Sequence, residues 1–477
     1  MLLSRRTVLG AGAAALTGAV LKPPPVDWPA LAASLDGSVE LPGTAGYDTA
    51  RLLVDPRFDG IRPPAVVRCA SSADVAEAIT FARRSGLAVV PRCGGHSYVG
   101  ASTSGSALVL DLRRLEEVRY DQGAGIAAIG GGARLIDVYN RLGAQGASIP
   151  AGSCGSVGIG GVTLGGGIGM GASAYGMTCD VVVGAEVAGA DGRLRTVDAE
   201  RHPELFWALR GGGGGQFGVV TGWRMRTHRT APVGTFVLNY PWAEAAKVAA
   251  GWQARLSAAP DETWSACQFA SDAQGRLSVR ISGVVLGGGA DAEAAAIARA
   301  IGSEPATATL AVRPYLDVVH SRAGCVDAQD CADRDTELAG SEIFRRVLPE
   351  PAVAALLATV QRRAAAGKPG VAKLKRMTGA VARVPLEATA FPWRRAHTML
   401  QWLVFPETYD PATVQDAYAW MDSGHEAMRR WSAGRYVNYL EPGPALLPRY
   451  HGPHLARLRR IRHAADPDRL FRSPYAL

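Results

Sequence analysis

A chain of 477 residues is too long for one small core, so we expect two or three subdomains. Its hydrophobic content of 48% and charged content of 20% are typical of a globular protein and exclude a largely disordered one. The net charge is +8, but the basic residues are scattered and do not alternate with aromatic residues, which argues against a nucleic-acid partner. A basic surface suits anionic polymers or cell walls, or simply keeps the protein solvated.

The N-terminus carries an export-type pattern. Arg5 and Arg6 precede a mild run rich in Ala and Gly that ends at Leu21. This run is too short and too weakly apolar to span a bilayer. The pattern resembles a twin-arginine signal, which carries folded proteins across a membrane. We therefore predict a signal peptide over residues 1–32, an extracellular, periplasmic or cell-wall location, and no stable membrane insertion.

The next segments predict alternating strands and helices. Ser71 or Ser72 caps a helix whose apolar residues keep to one face, and Gly86 follows its last turn. The predicted elements, in order, are strand 65–68, that helix, strands 87–90, 107–112 and 125–130, helix 133–142, a hairpin of strands 181–190 and 194–197, and helix 203–210.

A glycine-rich stretch, residues 150–170, dominates this half of the chain. Glycine lets the backbone approach a ligand closely, and successive N–H groups can form an anion-binding nest. Val157, Ile159 and Val162 alternate with the glycines, which is not the pattern of a solvated linker. We expect ordered backbone packed against a large cofactor.

Two further glycine motifs lead to different conclusions. His96 directly follows Gly94 and Gly95 after a predicted strand, so its ring and the backbone can reach one ligand together. The residues 213–218 match G-x-G-x-x-G formally. They follow a helix and not a strand, which excludes a Rossmann dinucleotide site.

Four motifs, in this order, carry a resemblance to a known family. Together they resemble the berberine-bridge-enzyme-like flavoproteins, which belong to the group with a vanillyl-alcohol-oxidase-type (PCMH-type) FAD-binding domain. The resemblance extends from about residue 60 to the C-terminus. The motifs are CGGHSY at 93–98, AGSCGSVGIGG at 151–161, LRGGGGGQFGVVT at 209–221 and YVNY at 436–439.

The resemblance implies an α+β fold with a two-subdomain PCMH-type FAD-binding domain over residues 60–231. A substrate-binding domain over 232–430 would follow, with an antiparallel sheet covered by helices. The segment 431–477 would return to the FAD domain. The elements predicted in the second domain are strands near 234–240, 264–270, 276–287 and 399–405 and helices near 243–258, 290–301 and 412–431.

The resemblance also implies FAD held by two covalent bonds. His96 matches the position that attaches to the 8α-methyl group of the flavin, and Cys154 matches the position whose thiolate attaches to C6. Either residue alone has an ordinary structural interpretation, but each occurs in the correct loop. The other implied cofactor contacts are Arg92, Cys93, Gly94, Gly95, Ser97, Gly152, Ser153, Gly155, Ser156, Val157, Gly158, Gly160, Gly161, Gly218, Val219 and Val220.

The last motif supplies the expected base. In a strand, Tyr436 and Asn438 share one face while Val437 faces the core. Following the family, Tyr436 is assigned as the base that removes the substrate hydroxyl proton, with Tyr439 as a helper and Asn438 as a flavin contact. A tyrosine is a suitable base only if positive charge or hydrogen bonding lowers its pKa of about 10. The alternative is that these tyrosines only pack.

Three positions depart from or refine the family pattern. Ile168 stands where sugar-oxidising relatives often carry Tyr. Arg383 stands where alkaloid-cyclising relatives carry Glu, which argues against bridge formation and leaves Arg383 to orient an anionic or hydroxylated substrate. Val157 occupies the position that controls oxygen access, and its small side chain favours an oxidase producing H2O2 over a dehydrogenase with another acceptor.

These observations predict an exported FAD-linked oxidoreductase that oxidises CH–OH groups of a carbohydrate or another hydroxylated compound, with O2 as acceptor. Oxidation of a secondary metabolite, and a flavin-carrying protein without turnover, remain alternatives. The expected partners are a small-molecule or oligosaccharide substrate, O2 and the twin-arginine export machinery; the oligomeric state is open.

The cysteines suggest no metal centre. The chain has seven cysteines but no CxxC and no HExxH, so a zinc site is not expected. Cys325 and Cys331 lie six positions apart in a polar segment and form either a disulfide or two free thiols.

Overall fold

The computed structural model describes residues 26–477. The predicted twin-arginine motif at Arg5 and Arg6 lies outside these residues. Within residues 26–477, no helix is long and apolar enough to cross a membrane.

The first half of the chain builds two main sheets. Its helices are α1 (Trp28–Ala33), α2 (Tyr47–Ala50), α3 (Ser72–Arg84), α4 (Leu135–Gly143), α5 (Ile159–Gly165), α6 (Ala172–Tyr175) and α7 (Pro203–Ala208). Its strands are β1 (Ser38–Glu40), β2 (Val66–Arg68), β3 (Ala88–Arg92), β4 (Ala107–Asp111), β5 (Val118–Asp121), β6 (Ile126–Gly130), β7 (Ala147–Ser148), β8 (Val182–Ala188), β9 (Leu194–Val197), β10 (Val219–Arg226) and β11 (His228–Arg229).

The order of strands in the first sheet is β1-β2-β4-β3, and in the second β5-β6-β10-β8-β9. β4 pairs in parallel with β2 and β3, because α3 connects β2 to β3 across the sheet. The predicted cap of α3 is present: the Ser71 side chain accepts a hydrogen bond from the Asp74 N–H. β1 lies ahead of residue 60, the predicted start of the FAD-binding domain.

The second half forms one seven-stranded antiparallel sheet covered by helices. The helices are α8 (Ala245–Leu256), α9 (Ala290–Ile301), α10 (Tyr315–Ala323), α11 (Glu350–Ala365), α12 (Ala380–Arg383) and α13 (Pro411–Met428). The strands are β12 (Val233–Tyr240), β13 (Thr263–Ser271), β14 (Leu277–Leu286), β15 (Thr307–Arg313), β16 (Leu338–Phe344), β17 (Gly370–Arg376) and β18 (Thr398–Val404), in the order β15-β12-β14-β13-β17-β18-β16.

One face of this sheet forms a core with α8, α9, α11 and α13, around large side chains such as Trp252, Trp402 and Trp420. The period of two along each strand places every other residue on this face and the rest on the opposite one. The opposite face is therefore left for the glycine-rich loops of the first half.

The C-terminal segment contacts the first half of the chain. After α14 (Leu447–His451) and α15 (Leu455–Ala465), Phe471 bridges to Val89 of β3. The Leu477 N–H donates to the Gln216 side chain at 2.7 Å. This contact joins the C-terminus to the loop of five consecutive glycines, residues 211–215.

Part of the glycine-rich stretch is the helix α5, whose backbone packs against neighbouring segments that compensate for the poor helix propensity of glycine. One local expectation was wrong. The motif 436–439 is a turn and not a strand. The Tyr439 N–H donates to the Tyr436 carbonyl at 2.9 Å, and the Tyr436 N–H is taken by the Ser341 hydroxyl, so no ladder forms.

Candidate active site

Two loops pack backbone against backbone at the end of β3. A Cβ atom on Gly158 would collide with Cys93 Sγ and the Gly94 nitrogen. A Cβ on Gly94 would in turn collide with the Gly158 nitrogen. Glycine is required at both positions because only a bare backbone permits this approach. The loop that carries His96 and the loop that carries Cys154 are thereby held side by side.

His96 is held as a neutral imidazole. It forms a hydrogen bond with the Ser156 backbone, and its Nε2 atom is buried without a hydrogen-bond partner among residues 26–477. Burial, with a smaller contribution from Arg134, lowers the pKa of His96 to about 4. A neutral imidazole with an unpaired nitrogen is the nucleophilic form of histidine.

Cys154 is the exposed free cysteine of the described chain, and its Sγ atom lies 3.5 Å from the Ser156 hydroxyl. By contrast, burial raises the pKa of the Cys93 thiol to about 11. Of the two alternatives left open for Cys325 and Cys331, the structure has the disulfide, and it lies directly against Gly155. A Cβ there would be 2.6 Å from Cys331 Sγ and 2.8 Å from Cys325 Sγ.

The predicted cofactor positions Gly155 and Val157 lie in a loop that contacts the start of α4. The carbonyls of Gly155 and Val157 accept hydrogen bonds from Ile136 and Leu135 at the start of α4, which orders the loop. One prediction needs correction: the Arg92 guanidinium is buried against Asp111 at 3.1 Å and bonds the Arg51 carbonyl. These contacts occupy the side chain, so Arg92 can offer a cofactor only its backbone.

The two tyrosines of the 436–439 turn have different partners. The Tyr436 hydroxyl accepts hydrogen bonds from the Gly167 N–H at 2.8 Å and the Asn438 amide at 2.9 Å. The Tyr439 hydroxyl lies 3.0 Å from Lys375 Nζ, which donates to it. Tyr439 also packs edge-on against Tyr98, with ring centroids 5.8 Å apart. Tyr439 is therefore the tyrosine with a titratable nitrogen beside its hydroxyl.

The Asn438 side chain serves the protein. Its amide nitrogen donates to the Val162 carbonyl at 3.0 Å as well as to Tyr436, and its oxygen lies so close to Gly165 that a Cβ there would collide with it. These contacts fix the turn onto α5. The amide nitrogen has both of its hydrogens directed at protein groups, and the flavin contact expected of Asn438 stays a prediction.

Charged groups of the sheet surround Tyr439. Burial lowers the pKa of Lys375 to about 8, although Glu337 opposes this shift. Burial raises the pKa of Glu337, which forms a hydrogen bond with Tyr98. Burial also raises the pKa of Tyr439, and Glu337 adds to this effect. In this environment the uncharged forms of both Tyr439 and Lys375 are favoured.

An ionic cluster holds the two ends of the turn. His425 on α13 contacts Glu342 at 2.6 Å and Glu441 at 2.5 Å. Arg435 donates to Glu441 at 2.9 Å, and Arg449 donates to Glu342 at 3.0 Å. Arg435 and Glu441 directly flank the residues 436–440. The cluster therefore fixes the position of both tyrosines without contacting their hydroxyl groups.

Sequence reasoning missed Lys375 and Glu337 because neither belongs to a motif. It also proposed Arg383 as a substrate contact, and the structure corrects this. Arg383 pairs with Asp261 at 2.6 Å on a largely exposed surface, so its charge is already compensated away from the tyrosines. The sequence did contain one signal for this site. Lys373 and Lys375 are two positions apart and therefore share one face of β17, and two lysines on one face of an inner strand indicate a functional role.

The comparisons with known proteins agree with this geometry. A model of the FAD binding domain matches residues 63–198. An uncharacterized FAD-linked oxidoreductase of Bacillus subtilis is 28% identical over 446 residues, covering 92% of this chain and 96% of the relative. A berberine-bridge-enzyme-like structure from Physcomitrella patens has a TM-score of 0.84 at 24% identity, covering 94% of this chain and 98% of that one. A xylooligosaccharide oxidase structure from Myceliophthora thermophila, in complex with xylobiose, has a TM-score of 0.83 at 25% identity and the same coverage. The chain is an FAD-linked oxidoreductase, and over nearly its whole length it is similar to berberine-bridge-enzyme-like proteins.

These similarities confirm the predicted resemblance, the α+β fold class and FAD as the cofactor of an oxidoreductase. The residues present fit FAD on structural grounds. His96 offers an unpaired buried nitrogen, Cys154 offers an exposed thiol, and the glycines between them leave a cradle of bare backbone. Within residues 26–477, no group of three or more acidic, His or Cys side chains is arranged to hold a metal ion.

Proposed function

We propose that this protein is an exported oxidase that removes a hydride and a proton from a CH–OH group of a carbohydrate or similar hydroxylated substrate. FAD would be attached through His96 and Cys154, and O2 would accept the electrons to give H2O2. The observation that carries the proposal is the 3.0 Å contact between Lys375 Nζ and the Tyr439 hydroxyl. Lys375 is a proton acceptor on the face of the sheet that faces the glycine-rich loops.

The Tyr439–Lys375 pair acts as the base. Lys375 has a pKa of about 8, so above that pH both side chains are uncharged. The substrate hydroxyl passes its proton to the Tyr439 oxygen, while Tyr439 passes its own proton to Lys375 Nζ. The proton ends on the lysine, and the phenol remains neutral. When bound, FAD supplies the two-electron acceptor for the substrate hydride.

Tyr436 has a positioning role in this scheme, which reverses the two tyrosine roles expected from the family. Its hydroxyl already accepts two hydrogen bonds, from Gly167 and Asn438, and no cation lies beside it. Its ring packs against Tyr439 with centroids 5.1 Å apart. Tyr436 therefore holds the Tyr439 ring in place.

Other features support the finer parts of the proposal. The neutral state of His96 and the exposure of Cys154 suit covalent attachment. Val157 is only partly buried and small, which suits oxygen access. The similarity to a xylooligosaccharide oxidase favours an oligosaccharide substrate. The residues Arg5 and Arg6 favour export by the twin-arginine route.

Covalent attachment is tested by acid precipitation and mass spectrometry of flavin-bearing peptides. We expect the flavin of the wild type to precipitate with the protein and to be bonded to both His96 and Cys154. In His96→Ala and in Cys154→Ala, the flavin should be bonded only to the residue that remains. Cys267→Ala, which alters a buried cysteine of the other core, is the matched control and should keep both bonds. Free release of flavin from the wild type would refute this part.

The oxidase activity is tested by peroxide detection with xylo- and cello-oligosaccharides. We expect one H2O2 for each substrate oxidised. Reduction of an artificial acceptor without peroxide would refute the choice of O2. Bound flavin that no hydroxylated compound reduces would refute enzymatic turnover.

A further inference from the structure

A line of polar side chains crosses the seven-stranded sheet on the face that carries Lys375. Its members lie directly opposite one another in successive strands from β12 to β16. We call these six residues the polar row: Asn239, Arg280, Gln268, Lys373, Gln401 and Ser341. The residues that alternate with them, such as Leu238, Leu374 and Leu400, belong to the core on the other face. The polar row is therefore a continuous feature of the face opposite the helices.

The polar row leads from the tyrosines towards the surface. At its inner end the buried Ser341 hydroxyl accepts a hydrogen bond from the Tyr436 N–H at 2.9 Å. Gln401 is also buried, Lys373 is half-buried, and Arg280, which precedes the half-buried Asn239 at the outer end, is exposed. Such a gradient from buried to exposed polar groups is what a substrate meets when it enters from solvent and ends beside Tyr439.

Positive charge is in excess along this path. The charges of Lys375, Arg322 and Arg280 all act on Lys373, and Glu337 is the acidic group that opposes them there. Burial, reinforced by these cations, lowers the pKa of Lys373 to about 7. The Lys373 ammonium also has no hydrogen-bond partner among residues 26–477. A partly desolvated ammonium with more cations than carboxylates around it is unfavourable, and an anionic ligand would relieve it.

We propose that the polar row binds a carboxylate-bearing oligosaccharide, with Lys373 pairing with a carboxylate of the substrate. Arg280 lies two strand spacings away, about 10 Å, which exceeds one sugar ring and suits a second unit of the chain. Gln268, between them, offers an amide for hydroxyl groups. The inference deepens the proposed oxidase function and rests on it: it assigns a uronic-acid-containing chain as the substrate class.

The flavin is the other possible source of negative charge near these cations. If Lys373 served the flavin, its removal would lower the reduction potential of the bound flavin and leave substrate preference unchanged. If Lys373 serves the substrate, its removal changes the preference between acidic and neutral sugars. The two assignments are therefore separated by measuring both quantities on the same variant.

The test compares cellobiose with cellobiouronic acid, which differ by one carboxylate. Calorimetry on the flavin-loaded enzyme uses their methyl glycosides, whose anomeric carbon is blocked, and kcat/KM is measured with the free sugars. We expect wild type to bind the acid about tenfold more tightly, as for one charge-assisted hydrogen bond. Lys373→Gln should remove this preference mainly through KM, and Lys373→Arg should retain most of it.

Lys247→Gln is the matched control, because Lys247 is an exposed lysine of α8 that bonds the Gly302 carbonyl outside the polar row. Equal affinity of wild type for acid and neutral disaccharide would overturn the inference. A preserved acid preference in Lys373→Gln, with a lowered flavin potential, would assign the charge to the flavin and also overturn it. The binding measurement needs no turnover, so its failure is distinct from a failure of the proposed oxidase reaction.

Discussion

The candidate site has a cofactor side and a substrate side, and the two differ in whether backbone or side chains form them. The cofactor side consists of backbone, brought close by glycines such as Gly94 and Gly158, with only His96 and Cys154 as reactive side chains. The substrate side consists of side chains on a rigid sheet, with Lys373 and Lys375 projecting from β17. A backbone cradle suits a ligand that the whole family shares, whereas a row of side chains can change its specificity by single substitutions.

The substrate side gives the largest expected effect. Tyr439→Phe removes the hydroxyl that receives the substrate proton, so kcat should fall by about 100- to 10,000-fold. Tyr436→Phe is the matched variant and should act mainly on stability, by about 1–3 kcal/mol, because it leaves the Gly167 and Asn438 donors unpaired. Steady-state kinetics and thermal unfolding of both variants check this. A larger loss of kcat in Tyr436→Phe would restore Tyr436 as the base.

The same pair predicts a pH profile. Lys375 accepts the proton only when it is uncharged, so kcat should rise with pH through about 8. Lys375→Arg keeps a positive charge but cannot accept a proton near neutral pH, and it should lose both the rate and this ionisation. A pH profile of Lys375→Arg that is unchanged from wild type would rule out the lysine as the proton acceptor.

How far the sequence predicts the structure differs between these two sides. The cofactor loops could be predicted because their residues are contiguous: glycine, histidine and cysteine stand within two short segments. The substrate side could not, since Lys375 and Tyr439 are far apart in the chain and only the register of β17 brings them together. The protein partners of Asn438 and Arg383, which are Val162 and Asp261, could not be predicted for a related reason, because they are distant in sequence.

The ionic cluster at the ends of the 436–439 turn gives the next largest effect. Burial disfavours charge on His425, but hydrogen bonds to Glu342 and Glu441 outweigh it and raise the pKa of His425. A raised pKa contributes stability that is fully present below the unfolded value of about 6.5 and is lost as pH rises through the folded value. His425→Ala should therefore cost about 3–5 kcal/mol at pH 6 and less at alkaline pH.

Thermal unfolding at several pH values measures this difference. His463→Ala, on the exposed side of α15, is the control and should show no such pH dependence. A cost for His425→Ala that does not shrink as pH rises would show that packing, and not charge, holds the ends of the turn.

On the cofactor side, two glycines of one stretch separate a protein contact from a cofactor contact. Gly158→Ala should cost about 3 kcal/mol, at the upper end for overpacking, because the Gly94 backbone cannot yield. A Cβ on Gly161 meets no protein atom within 4 Å, so Gly161→Ala should leave the apoprotein as stable or stabilise it by up to about 1 kcal/mol.

If FAD lies along Gly161, that variant should nevertheless retain less flavin after purification. Gly60→Ala, at another unobstructed glycine, serves as the control for both measurements. Full flavin content in Gly161→Ala would place the cofactor elsewhere along the stretch.

The smallest expected effect concerns the disulfide, which joins the two sides. Cys325 and Cys331 belong to the substrate side, yet their sulfur atoms lie against Gly155, next to Cys154, the proposed site of flavin attachment. The double variant Cys325→Ser with Cys331→Ser should lower stability by about 2 kcal/mol, since the closed loop is short. A reductant should lower the unfolding temperature of wild type but not that of the double variant. If both proteins respond equally, the backbone around Gly155 is ordered by the glycine contacts alone, and the cofactor side needs no support from the substrate side.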